Sequence, residues 1–86
     1  MHMMLQSNYK DLVDSCRDAG LVVEEHPTEF SGISSASVWR EHRHVGGVVM
    51  TGSFGKATLC MDLHQNKMSY FVALFRALET RERNCL

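Results

Sequence analysis

Apolar residues recur along the chain with two different periods, and the switches between them mark out its elements. Tyr9, Leu12, Val13, Cys16 and Ala19 fall three or four residues apart, the spacing of a helix with one buried face. Ser7 stands before them as an N-cap and Gly20 behind them as a left-handed stop, with Leu21 placed to pack back on the last turn. Residues 1 to 6 read as a loose lead-in to this short helix.

A strand is expected over residues 21 to 26, ended by Pro27. The Ser- and Gly-containing stretch 28 to 35 reads as a loop or an irregular edge strand anchored by Phe30 and Ile33. Three more strands are expected near residues 36 to 44, 48 to 54 and 57 to 63, joined by tight hairpins at Gly46-Gly47 and Gly55-Lys56. A two-residue turn at Gly55-Lys56 pairs Phe54 with Ala57, Gly52 with Leu59, Met50 with Met61 and Val48 with Leu63, all on one face. The other face receives Ser53 with Thr58, Thr51 with Cys60 and Val49 with Asp62, the apolar-in, polar-out alternation of a half-buried antiparallel sheet. By the same logic the Gly46-Gly47 turn puts Trp39 on the core face and Arg40, His42 and His44 on the polar one. It also turns Glu41 and Arg43 inward, which is tolerable only where the sheet edge stays open to water.

After a loop over residues 64 to 67, the segment from 68 to about 83 forms the longest helix, with Asn66 positioned as N-cap and Arg76, Arg81 and Arg83 toward its C-terminal end. Residues 84 to 86 are a loose end. The expected architecture is one α+β domain over residues 1–86: an antiparallel sheet of three to four strands with the N-terminal and the longer C-terminal helix on one face, in the order α-β-β-β-β-α.

Composition narrows the function classes. A chain of 86 residues supports one domain with a thin core. Nine Lys and Arg nearly cancel ten Asp and Glu, so no overall field draws the chain to nucleic acid or an anionic membrane. No apolar run approaches the roughly 18 residues of a spanning helix, and the Met-rich start lacks the cationic and apolar regions of a signal peptide. A cytoplasmic location without a membrane partner is the expectation. Cys16, Cys60 and Cys85 are odd in number and widely spaced, which suits reduced thiols better than a disulfide framework or a zinc motif.

Residues 51–57, Thr-Gly-Ser-Phe-Gly-Lys-Ala, resemble part of the glycine-rich loop of protein kinases, a backbone turn that cradles phosphate. Met50 replaces the first glycine of that triplet and no metal-binding Asp motif follows, so the segment is read as a hairpin turn. His42 and His44 share a strand face with Cys60 and Asp62, but a two-strand separation of about 9.6 Å is too wide for one ion, and no metal site is expected. Cys60, Asp62 and His64 lie close in sequence. Because Cys60 falls in mid-strand, it reads as a structural thiol, and no catalytic residue, cofactor or small-molecule substrate is expected.

The element order also resembles that of double-stranded-RNA-binding domains. The likeness is architectural, because residues 66–69 offer Lys67 alone where that family carries a basic cluster. A nucleic-acid or anion binder using Arg40, His42, His44 and Lys56 on the open sheet face is therefore the alternative reading. The leading expectation comes from the long helix. Met68, Phe71, Val72, Phe75 and Leu78 form a core stripe, and Tyr70, Leu74 and Ala77 widen the apolar arc beyond half the circumference. A protein partner or a second copy is expected to engage Tyr70, Leu74 and Ala77 with Arg81 at the rim, making the protein a non-catalytic interaction module. On that expectation Leu74→Asp abolishes association and leaves the fold intact.

Overall fold

The first helix starts one residue later than its sequence suggests. Asn8 is the N-cap, its side-chain oxygen accepting from the Lys10 amide at 3.0 Å, and α1 runs Tyr9–Asp18. Its other end follows expectation: Gly20 at φ +94° donates to Arg17 O and Leu21 donates to Cys16 O, the paired bonds of a glycine-terminated helix. The computed structural model describes residues 2–27, 34–51 and 55–84.

The residues before Asn8 are a strand rather than a loose lead-in. β1, His2–Asn8, pairs antiparallel with β5, Lys56–Asp62, in an unbroken register from His2↔Asp62 to Asn8↔Lys56. Met3, Leu5 and Ser7 share their face with the buried Met61, Leu59 and Ala57, which is the physical reason the segment pairs. Between these lie β2, Val22–Pro27, β3, Ser34–Arg40, and β4, Arg43–Met50, while α2, Met68–Asn84, follows β5. The sheet has five strands in the order β1-β5-β4-β3-β2, every neighbouring pair antiparallel. The element order is thus β-α-β-β-β-β-α. A strand precedes the first helix, so the likeness in order to double-stranded-RNA-binding domains does not hold.

Both predicted hairpin registers need correction, with unequal consequences. In the β4–β5 hairpin Met50 faces Ala57, Val48 faces Leu59 and Gly46 faces Met61, each β4 residue meeting a partner four residues earlier in β5 than expected. An even slip preserves the faces, so Val48, Ala57, Leu59 and Met61 are buried as expected. Gly55 supplies the turn at φ +78°; Gly52, Ser53 and Phe54, like Phe30 and Ile33, fall outside the described residues.

The other hairpin turns at Glu41-His42, with Glu41 at φ 60° and Arg40 opposite Arg43, not at Gly46-Gly47. The two glycines are strand residues. A Cβ on Gly46 would lie 2.5 Å from Cys60 O, and one on Gly47 would lie 3.3 Å from Ala36 O, so close strand approach is what requires glycine here. Moving the turn reverses β3: Ala36 and Val38 are buried, while Trp39 shares the open face with its exposed partner Val22. An irregularity beside Trp39, where His44 and Gly46 oppose successive β3 residues, tucks the intervening Val45 into the core.

Both helices cover one face of the sheet. Leu12, Val13 and Cys16 of α1 and Phe71, Leu74 and Leu78 of α2 join Val23, Val38, Val45, Val48, Leu59 and Met61 in one buried cluster. No described element covers the opposite face. Asn66 does not cap α2; its side-chain amide donates to Asp62 O at 2.8 Å and ties the preceding loop to the end of β5.

Gly46→Ala should lose about 1–3 kcal/mol in urea unfolding, because backbone rather than a flexible side chain blocks the added methyl. Gly47→Ala, with 3.3 Å available, should lose clearly less.

Candidate interaction surface

The four α2 residues expected to meet a partner lie instead against α1. Leu74 is 0% exposed, while Tyr70, Ala77 and Arg81 are half-buried. The Arg81 guanidinium reaches Asp18 Oδ2 at 2.5 Å and Ser15 Oγ at 3.5 Å, and a Cβ on Gly20 would stand 3.7 Å from the Tyr70 ring. Arg81 is therefore a bond across the helix seam rather than the rim of a binding site. The reason is rotation of the helix: α1 and the sheet together enclose the arc from Tyr70 to Phe71, more of the circumference on that side than the pattern alone assigns.

Rotation exposes the opposite flank. Met68 is 74% exposed, Phe75 42% and Val72 40%, three residues that the sequence pattern assigned to the core. Met68, Phe75 and Glu82 are seven residues apart and so lie nearly on one line of the helix. Glu82 fixes where that line sits, because Ser7 of β1 donates to its Oε1 at 3.0 Å. Phe75 and Met68 accordingly lie on the flank of α2 that bonds to β1 at the helix's C-terminal turn.

β1 itself has β5 on one side and no neighbour on the other among the described residues. Its sequence, His-Met-Met-Leu-Gln-Ser-Asn, holds no Lys, Asp, Glu or Pro, and its pairing has no bulge. Met4 on the open face is 66% exposed. Such an edge lacks the devices that ordinarily keep strands from pairing with other chains.

The other edge of the sheet has them. β2 carries Glu24 and Glu25 and ends on Pro27, which has no amide hydrogen to offer. Arg17 donates to Val23 O at 3.1 Å and sits 3.7 Å from Glu25, occupying a strand carbonyl that a partner would otherwise use. The contrast between the edges was legible in composition once β1 was known to be a strand; the Met-rich start carried no turn or charge signal to announce it.

The residues of the anion-binding alternative do not assemble. Arg40 lies on the helix side, donating twice to Gln65 O at 3.0 and 2.8 Å with its guanidinium 5.8 Å from the Tyr70 ring centre. His42 occupies the β3–β4 turn. His44 meets the edge of the Trp39 ring at 5.1 Å. Lys56 starts β5 opposite Asn8, at the far end of the sheet from that turn.

In the group around Cys60 the acidic member is engaged by backbone. The Asp62 carboxylate accepts from the backbone amide of His64 at 2.8 Å, and that bond holds its pKa below the ordinary range. It orients the loop rather than an imidazole. His2, His44, Cys60 and Asp62 line a shallow depression over Gly47, yet among the described residues no three His, Cys, Asp or Glu groups converge as metal ligands. The buried Cys16 thiol is pushed up to about 12 by its apolar surroundings, which keeps it protonated and unreactive. No helix of the described residues is long and apolar enough to cross a membrane. No protein-family model, curated protein or solved structure matches the chain.

Leu74→Asp should unfold the domain instead of dissociating it, since burying a carboxylate there costs more than about 4 kcal/mol; circular dichroism distinguishes the two. Arg81→Ala should cost about 1–2 kcal/mol by releasing Asp18 and the buried Ser15. The unfolded chain ionises Cys16 near its ordinary value of 9.0 and the folded chain only near 12, so folding stability is full below about pH 9 and falls as pH rises. The expected slope is about 1.4 kcal/mol per pH unit. Because only half of that slope is reached at the thiol's ordinary value, urea titrations should show the native chain losing about 1.4 kcal/mol in all between about pH 8 and 10, a loss that Cys16→Ala should lack.

Proposed function

We propose that this chain is a non-catalytic protein-binding module whose docking surface is the flank shared by the β1 edge and by Met68 and Phe75. One observation carries the reading: the undefended sheet edge and the exposed apolar line of α2 occupy the same side of the molecule, tied together by Ser7 and Glu82. Either feature alone is common on small domains. Together they offer a row of unpaired backbone groups with apolar side chains on the same flank, the composition of surfaces that accept a strand from a partner. Aromatic and methionine side chains also suit the desolvated centre of an interface better than its rim.

A photo-reactive residue placed at position 75 in cells of the native host should cross-link to protein, and one at position 42, in the β3–β4 turn, should not. Equal yields at the two positions, or none at 75, would remove the proposal.

A further inference from the structure

We infer that the partner on this flank is a second copy of the chain, joined by antiparallel pairing of β1 with its counterpart; this rests on the docking surface proposed above. Antiparallel pairing of a strand with itself about a two-fold axis is self-complementary, because donors and acceptors alternate along the edge and inversion brings each opposite its complement. The seven residues of β1 bring no like charges together in such a pairing, whichever of its central residues lies on the axis. The β2 edge fails the same test, since an axis on either of its central residues, Glu24 or Glu25, would set that glutamate opposite its own copy.

The two-fold that pairs the strands also sets the helices. Glu82 in the last turn of α2 accepts from Ser7, so an antiparallel β1 pair sets the C-terminal turns of the two α2 helices at opposite ends of the strand pair, with the exposed Phe75 and Met68 on the same flank as Glu82. One operator thus relates both strands and helices, giving a continuous ten-stranded sheet with four helices on one face.

Size and charge agree with a dimer. A seven-residue strand is about 24 Å long, and the molecule is 21 Å thick along its shortest axis. The outline of the flank is therefore roughly 500 Å² per protomer, so a pair closing over all of it would reach the ~1,000 Å² expected of a specific interface. A formal net charge of −1 leaves little repulsion between copies.

Sedimentation of the full chain over a concentration series tests this, with hydrogen exchange of the β1 amides as a second readout. The native chain should reach about twice its 9.8 kDa mass and protect β1 amides along both edges of the strand. Met4→Lys places two ammonium groups near the axis at an exposed position, and Phe75→Asp puts carboxylates on the exposed flank of α2. Each should weaken dimerisation about tenfold or more, while Val22→Lys on the β2 edge leaves it unchanged and circular dichroism stays native in all three. Added salt should not dissociate the native dimer, as it would a contact held by charge.

A monomer at every concentration, or a dimer that Val22→Lys disrupts and Met4→Lys does not, overturns the inference. If position 75 cross-links to a protein of another mass, the docking surface stands and the second copy falls. If position 75 cross-links to nothing, both fall.

Discussion

The long-range pairing of β1 with β5 is the contact on which the rest of the molecule depends. It converts β5 from an edge into an interior strand and sets Leu5 and Met3 beside the fully buried Leu59 and Met61. It also anchors the start of α1, since the Tyr9 amide donates to Gly55 O at 2.7 Å directly after the Asn8 cap. Through Ser7 and Glu82 the same strand reaches the last turn of α2. Helices and sheet are thus held in one arrangement by a segment whose local sequence shows no strong preference for structure.

Much of the architecture was legible because hydrophobic period and stop signals agreed. Gly20 ends α1 as its position predicts, and the alternation of β5 sorts its residues to the correct faces even though the pairing partner of each was misassigned. Faces survive an even slip and are exchanged by an odd one. The β3 assignment failed for that reason: glycine was read as a turn signal at Gly46-Gly47, whereas those positions are glycine because Cys60 O and Ala36 O leave no room for a methyl. A non-glycine residue with positive φ, Glu41, makes the actual turn, and sequence chemistry offers little warning of that. β1 was missed because the strand that makes it a strand lies about fifty residues away.

The surface was legible only in part. The sequence shows that α2 carries more apolar residues than one contact can hide, but not which side α1 takes. Packing against Gly20 and the Arg81–Asp18 bond settles the rotation, enclosing Leu74 and leaving Met68, Val72 and Phe75 outward. Charge reading met a similar limit: Arg40 belongs to the interior network around Gln65 and Tyr70, and the four basic groups that seemed to form a patch are spread over the sheet's two faces and both its ends.

The wide separation of β1 and β5 along the chain also has a cost in time. The ribosome delivers β1 and α1 first and completes β5 about fifty residues later, an interval of roughly 2–10 s at ~5–20 residues per second. Throughout it an uncharged, methionine-rich strand waits without its hydrogen-bonding partner, in crowded company with other nascent copies. The same lack of charge leaves the strand least protected against misassembly during this interval.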